Sequence, residues 1–315
     1  MMLGRTASNL YWLCRYMERA ENMARLLDVG YRMSLEPGIE ESEREQWDST
    51  LQAAAIEAPF FEKHETAAVP LVRDFMLFDE DNNSSVRSCL TLARSNARSV
   101  RTAITTEMWE SINTTWLEFS RIRPSSISTN DMPALLDWIK RNTAQFRGAM
   151  LNTILRDEGY AFCQLGTFNE RADNTARILD VKYYVLLPRS EFVGSELDNR
   201  QWSMILRAAS AHRSYRHVYR DRYKAWNIAD FLILREEMPR SLAHCYRWMD
   251  STLGDLEHIY GARYECHKIG QTIHEELKNG DMDVIFQKGL HEFLSSFIAS
   301  NNALGASIAE SYNFF

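Results

Sequence analysis

Residues 18–29 read Glu-Arg-Ala-Glu-Asn-Met-Ala-Arg-Leu-Leu-Asp-Val, and residues 170–181 read Glu-Arg-Ala-Asp-Asn-Thr-Ala-Arg-Ile-Leu-Asp-Val. Only the change from Met23 to Thr175 is non-conservative. A packed helix needs only its apolar spacing to keep its fold, yet here the glutamate, both arginines, the asparagine and the last aspartate are repeated as well. The chain therefore contains one helical segment twice, with its polar residues retained.

The similarity between the two copies continues beyond this segment. Further matching positions are Trp47 and Trp202, Asp74-Phe75 and Asp230-Phe231, Ser85 and Ser241, and Cys89 and Cys245. We therefore expect an internal duplication that spans the whole chain. The predicted halves, residues 1–150 and 151–315, are similar helical bundles that pack as one globular unit about a pseudo-twofold axis.

The first of the repeated helices is predicted to cover about residues 6–35, before a helix breaker at residues 36–38. Its apolar residues step by three and four positions onto one face, which consists of Leu10, Leu13, Met17, Ala20, Ala24, Leu27 and Tyr31. Because the alanines leave little bulk, we expect the repeated helices to cross near Ala20 and Ala172. Asn169, at the position of Met17, would place one amide in this contact.

Composition supports an all-α protein. The 315 residues include only 13 glycines and 7 prolines, 45% are hydrophobic, and no run alternates like a strand. The apolar runs are too short for a membrane span and the start of the chain lacks the pattern of a signal peptide, so we expect a cytoplasmic protein that does not enter membranes. A net charge of −7 argues against nucleic-acid binding. Five cysteines among apolar residues suit reduced core thiols.

The repeated helices carry the first group of candidate site residues. One flank holds Glu18, Glu21, Arg25 and Asp28, which recur as Glu170, Asp173, Arg177 and Asp180. An exposed pair such as Glu21 with Arg25 contributes only about 0.2 to 0.5 kcal/mol, which hardly explains its presence in both copies. Three acids for each arginine also need further partners. We predict that Glu18 and Glu170 are buried and paired with arginines, some of them from other helices.

A second group forms a basic strip on a helix that Ser84 or Ser85 would cap and that would reach Ile104. The strip consists of Arg87, Arg94, Arg98 and Arg101. On the structural interpretation, such a strip is a solvated face or supplies partners for the surplus carboxylates. On the functional interpretation, it is an anion-binding site.

A third group lies at residues 211–226, which the first half does not match. On a single helix, one face would carry Arg213, Arg216, His217, Arg220 and Lys224, and a neighbouring face Tyr215, Tyr219, Tyr223 and Trp226. Basic residues beside aromatic rings can bind a phosphate, a carboxylate or a base. Tyrosines at helical spacing are more often core residues, so both interpretations stay open.

Common catalytic motifs are absent. The sequence has no glycine-rich phosphate loop, no nucleophile elbow and no HExxH motif, and the Glu-x-x-His pairs of a di-iron bundle are missing. Cys266, His267 and His274 lack a fourth ligand. We expect no cofactor and no metal.

The sequence resembles the bacterial alpha-E family over nearly its whole length. The motifs that carry the resemblance are Arg5-Thr6-Ala7-Ser8-Asn9-Leu10-Tyr11-Trp12-Leu13, residues 15–22, residues 93–98, Glu107-Met108-Trp109-Glu110 with Asn113, Tyr215-Arg216, Tyr219-Arg220, Asp230-Phe231-Leu232 and Pro239-Arg240-Ser241. Cys14 departs from the family pattern, which has glycine at this place, as the second copy has at Gly166. We therefore expect the packing at Cys14 to differ.

The resemblance implies an all-helical protein encoded with a circularly permuted ATP-grasp protein and often with a transglutaminase-like protease. From this we expect a non-catalytic partner or substrate-binding subunit of an ATP-grasp amide or peptide ligase. It would bind the ligase or an acidic, peptide-like ligand through the two basic groups. One alternative is an enzyme in which Glu18 or Glu170 is the acid or base while Arg25 and Arg177 position a carboxylate. The other is a purely structural helical scaffold.

Overall fold

A computed structural model describes residues 2–35, 43–185, 196–220 and 223–314. These residues form fifteen α-helices and no strand, which confirms the all-α prediction. The helices are α1 (Gly4–Ser34), α2 (Glu43–Ala53), α3 (Glu57–Phe61), α4 (Val69–Leu77), α5 (Val86–Ser99), α6 (Thr106–Ser120), α7 (Met132–Thr153), α8 (Glu158–Val185), α9 (Glu196–Ala208), α10 (His212–Tyr219), α11 (Ala225–Ile233), α12 (Leu242–Tyr260), α13 (Glu265–Lys278), α14 (Met282–Lys288) and α15 (Leu290–Ser311).

The two long helices α1 and α8 form the centre of the fold. They pack against each other, and each also packs against two helices that follow it in the chain. These are α5 and α7 for α1, and α12 and α15 for α8. In addition α2 packs on α8 and α9 packs on α1. Because neighbours surround α1 and α8, their polar residues are enclosed with the apolar ones. The predicted breaker after α1 lies outside the described residues.

The contact between α1 and α8 includes an approach too close for a side chain. A Cβ added at Gly166 would lie 2.1 Å from the backbone oxygen of Tyr11. The predicted alanines Ala20 and Ala172 are fully buried, but this backbone contact lies further toward the start of both helices. At the corresponding place of the first copy the buried thiol of Cys14 lies 3.7 Å from the sulfur of Met150. Packing at Cys14 therefore differs, as expected.

A buried hydrogen-bond network around Asn169 joins four helices. Its amide accepts from the Tyr11 hydroxyl at 3.0 Å and donates to the side-chain oxygen of Asn301 in α15, also at 3.0 Å. Asn301 in turn donates to the backbone oxygen of Asn169 and accepts from the Tyr246 hydroxyl. Since every partner sits at one position of its helix, this network fixes the register of α1, α8, α12 and α15.

Two predicted helices end earlier than their periodicity indicates. Residues 211–226 do not form one helix, because Arg220 turns into the left-handed region, with φ of 51°, and caps α10, while α11 begins only at Ala225. The helix with the basic strip ends at Ser99, because Val100 leaves helical geometry before the chain turns into α6. Arg101 therefore lies beyond the helix that was predicted to carry it.

Candidate functional site

The first carboxylate cluster, defined by Glu18 and Glu21 with their arginine partners, lies at the centre of the fold. Glu18 is 1% exposed and pairs with three guanidinium groups. They belong to Arg147 of α7, to Arg171 of α8 and to Arg240, which directly precedes the N-cap of α12. Their distances from the carboxylate are 2.9, 3.0 and 3.0 Å.

Glu21 shares two of these arginines and is completely buried. Arg25 donates to it from two nitrogens, at 2.8 and 2.5 Å, and Arg240 donates at 2.6 Å. Arg147 and the hydroxyl of Thr143 bind its other oxygen. Arg240 thus bridges the two carboxylates of the cluster with its two terminal nitrogens.

The second carboxylate cluster consists of Glu170 and Asp173 with the arginines that bind them. Glu170 is 5% exposed and accepts from two nitrogens of Arg19, at 2.6 and 2.9 Å, and from Arg15 at 2.8 Å. Asp173 pairs with Arg177, one turn further along α8, at 2.7 Å. The predicted burial of Glu18 and Glu170 and their pairing with arginines of other helices are confirmed.

The two Glu-Arg dipeptides bind each other reciprocally. Arg19 of α1 holds Glu170 of α8, and Arg171 of α8 holds Glu18 of α1. A family model described as a predicted alpha-helical domain with a conserved ER motif matches residues 2–313. The chain belongs to the Alpha-E family. In this Alpha-E chain the Glu-Arg pairs of both copies are central cross-links. Neither a curated protein nor a solved structure is significantly similar to it.

The arginines keep the carboxylates ionised. Burial alone would raise the pKa of Glu18, but the positive charges of its three arginine partners hold that pKa well below its usual range. The same competition lowers the pKa of Glu21 and of Glu170 to about 2. Burial lowers the pKa of Arg240 to about 10, so this side chain still carries its charge at neutral pH. At neutral pH the three buried glutamates and Arg240 are therefore charged.

The cysteines beside the clusters are not reactive thiolates. Burial raises the pKa of Cys89 and of Cys245 to about 12. All five cysteines are buried and reduced, as the sequence predicts.

The predicted basic strip is not one surface. Arg87 donates to the backbone oxygen of Ile122 at 2.9 Å, and Arg94 donates to Asn113 at 2.8 Å. Arg94 also lies 4.2 Å from the ring centre of Trp116 and Arg101 lies 5.6 Å from that of Trp109. Arg98 is exposed. Arg87 and Arg94 thus donate to other residues of this chain, and the anion site stays a prediction.

The tyrosines of the third group pack into or against the core, Tyr215 fully buried and Tyr219 and Tyr223 partly buried. Tyr215 is completely buried and stacks on Tyr219 with ring centres 4.9 Å apart. The hydroxyl of Tyr219 donates to Asp230 of α11, and burial raises the pKa of Tyr219. The rings therefore attach α10 to the core. The basic residues Arg213, Arg216, His217 and Arg220 remain exposed.

A cavity of about 150 Å³ adjoins the second carboxylate cluster. Its lining includes Arg19, Asn22, Ser84, Glu170, Asp173 and Arg177. Asn22 is 2% exposed, and neither atom of its amide has a hydrogen-bond partner. A wider cleft of about 760 Å³ lies among α13, α14 and α15 and contains none of the predicted site residues.

Sequence reasoning missed the arginines that complete the clusters. Arg15, Arg19, Arg147, Arg171 and Arg240 were not site candidates, although all five bind the candidate carboxylates. The repeated Glu-Arg dipeptide was the available signal for two of them. Among the described side chains, no histidine, cysteine or acid joins two others in a group that could hold a metal ion. No helix of the described ranges is both long and apolar enough to cross a membrane.

Proposed function

We propose that this Alpha-E chain is a non-catalytic helical subunit of an ATP-grasp amide or peptide ligase system. The observation that carries the proposal is the state of the candidate acids, since Glu18 and Glu170 are buried, ionised and each bound by several guanidinium groups. A general acid or base needs a pKa near the working pH and access to the reacting atom. These carboxylates meet neither condition, which argues against the alternative of an acid-base enzyme.

We further propose that the two halves are copies of one unit related by a pseudo-twofold axis. The reciprocal packing of α2 on α8 and of α9 on α1 supports this relation. So does a rare backbone feature at matching positions, because Ala55 and Ser210, neither of them glycine, both have φ of 54°. The subunit would thus present related but unequal faces to its partners.

The partner surface that we propose is the exposed basic side of α10. Arg213, Arg216 and His217 are exposed on this helix, and Val218 beside them is 47% exposed. The two arginines form no ion pair with any described residue, so their charge is available to another molecule. An acidic surface of the ligase, or an acidic peptide-like substrate, complements this patch. A transglutaminase-like protease would be a further member of the same system.

Charge reversal on α10 tests the proposal. The double variant Arg213→Glu with Arg216→Glu should bind the neighbouring-gene ATP-grasp protein at least tenfold more weakly, while circular dichroism stays unchanged. Wild-type affinity should decrease as salt rises, because exposed charge contacts are screened. The matched control is Arg98→Glu, an exposed arginine of the first half, which should bind normally. Equal binding of all three proteins, or ligation that is unaffected when the chain is omitted, contradicts the proposal.

A further inference from the structure

Two helices that begin beside the carboxylate clusters have matching N-caps. Ser85 caps α5 by accepting from the backbone N–H three residues later, at 3.1 Å. Ser241 caps α12 in the same way, at 3.0 Å. The residue directly before the cap is Ser84 in the first half and Arg240 in the second. These two residues therefore occupy equivalent places in the two halves.

Ser84 and Arg240 leave their clusters in different states. The Arg240 guanidinium lies between Glu18 and Glu21 and donates to them at 3.0 and 2.6 Å. Ser84 has no group that could extend so far, and the cavity of about 150 Å³ lies beside the carboxylates of the second cluster instead. The cavity is thus the unfilled counterpart of the place that Arg240 fills.

The walls of the cavity also correspond to the surroundings of Arg240. Arg19 lines the cavity and holds the carboxylate of its cluster, as Arg171 does in the other cluster. Ala55 lines the cavity with the same left-handed backbone that Ser210 has beside the first cluster. The Ser210 hydroxyl accepts from Arg25, whereas Ala55 has no hydroxyl to fill the equivalent space. Both changes, Arg to Ser and Ser to Ala, enlarge the same side of the site.

Two acceptors of the cavity have unused capacity. Oε1 of Glu170 accepts only from Arg19, whereas Oε1 of Glu18 accepts from two arginines. Asn22 faces the cavity with its amide oxygen and nitrogen unpaired, although a buried amide without a partner costs about 1 to 3 kcal/mol. A ligand with several N–H donors would satisfy both Glu170 and Asn22.

The composition of the two clusters indicates the chemistry of the ligand. In the first cluster two carboxylates face four guanidinium groups, those of Arg25, Arg147, Arg171 and Arg240. In the second cluster two carboxylates face only three, those of Arg15, Arg19 and Arg177. One added guanidinium gives the second cluster the composition that the first already has.

We propose that the cavity binds a guanidinium group, brought by a small molecule or by an arginine side chain of another protein, between Glu170 and Asp173. A planar guanidinium offers five N–H donors in a fixed fork, which suits two carboxylates and an amide oxygen. In another protein a cavity of roughly 150 Å³ holds a benzene ring, so a guanidinium with part of its alkyl chain fits. The group enters past exposed Ala55 and half-buried Ser84. This inference rests on the proposed duplication and is independent of the proposed ligase partnership.

Thermal unfolding of the whole chain with methylguanidinium chloride tests the site. At a hundredfold excess over Kd the ligand should raise the Tm by about 4 °C, given the entropy of unfolding of a chain of this length. Methylammonium has the same charge without the fork and should raise the Tm less. Sodium phosphate should have no such effect. Calorimetric titration should give one site per chain.

Three variants assign the effect to the cavity. Ser84→Arg supplies the guanidinium within the chain, so its Tm should exceed that of the wild type and it should no longer respond to methylguanidinium. Asn83→Arg, at the exposed neighbouring position outside the cavity lining, is the matched control and should respond like the wild type. Arg240→Ser opens a second cavity, so its Tm should be lower and methylguanidinium should raise it more than it raises the wild-type Tm.

Several results would overturn the proposal. They are a wild-type Tm that methylguanidinium does not raise, a Ser84→Arg variant that responds like the wild type, and stabilisation by phosphate in place of the cation. Agmatine and the peptide acetyl-Gly-Arg-Gly-amide then compare the two sources of the group. Tighter binding of agmatine assigns the site to a free small molecule, and tighter binding of the peptide assigns it to an arginine of a protein partner.

Discussion

The replacement Glu18→Gln removes the charge on which arginines of α7, α8 and the start of α12 converge. Glutamine keeps the length and shape of the side chain, but its amide nitrogen is a donor and would face a guanidinium donor such as that of Arg147 or Arg240. Glu21 would remain as the only carboxylate among four arginines. We therefore expect the variant to fold with a lower stability.

The size of the effect follows from burial. Removing one partner of a buried ion pair costs about 3 to 5 kcal/mol, because the remaining charges lose their counter-ion without regaining water. A chain of this length has an unfolding entropy of about 0.7 kcal/mol per kelvin at its Tm. The Tm of Glu18→Gln should therefore lie about 4 to 7 °C below that of the wild type.

Differential scanning calorimetry measures this shift, and circular dichroism checks that the helices form. The matched control is Glu62→Gln, an exposed glutamate, which should change the free energy of unfolding by less than about 0.5 kcal/mol. Adding Arg171→Gln to Glu18→Gln removes one of the unpaired charges and should recover part of the Tm. An unchanged Tm for Glu18→Gln would refute the structural role, and unchanged folding with loss of an activity would favour the acid-base enzyme.

Two further predictions concern pH and helix packing. The folded-state pKa of Glu170, about 2, lies below the ordinary value of 4.5. The ionised Glu170 therefore contributes roughly 3 kcal/mol to the free energy of unfolding above about pH 5, and this contribution is lost as pH falls toward 2. Glu170→Gln should flatten this part of a Tm-versus-pH curve, and an unchanged slope would contradict the assignment. Gly166→Ala should lower the free energy of unfolding by at least about 1 to 3 kcal/mol, because the new Cβ meets the Tyr11 backbone. The control Gly148→Ala, with no atom within 4 Å of its Cβ, should be neutral or stabilising in denaturant unfolding, and equal effects of the two changes would rule out the close contact.

The sequence indicated the central helices well because their signals are local. The three-four spacing of apolar residues predicted α1 within two residues at each described bound, and the repetition of charged residues pointed to buried rather than solvated acids. Partners such as Arg147 and Arg240 lie more than 100 positions away from Glu18 in the chain. No periodicity encodes such a distance, so the completion of the clusters could be seen only in three dimensions.

The errors have an equally physical origin. Arg213, Arg216 and Arg220 keep helical spacing, yet the helix ends where the backbone of Arg220 adopts the left-handed conformation. The sequence has no glycine at this cap that would have predicted the end of the helix. Arg87 and Arg94 have the spacing of an exposed strip, but α5 lies beside α6. Arg94 donates a hydrogen bond to Asn113 of α6, and Arg87 donates one to the backbone oxygen of Ile122 just after α6. In both places tertiary packing, and not the local sequence pattern, determined the structure.

The reciprocal Glu-Arg pairs tie the first half of the sequence to the second. If the halves came apart, Glu18 would lose Arg171 and Arg240, and Glu170 would lose Arg15 and Arg19, so each acid would be left with fewer or no counter-charges. Under the proposed duplication, this cross-linking would hold the centre fixed and leave divergence to the periphery of the clusters. There, the proposed exchange of arginine for serine would close one cluster and open the other. Specificity for a ligand would then change in one half while the shared centre maintained the fold.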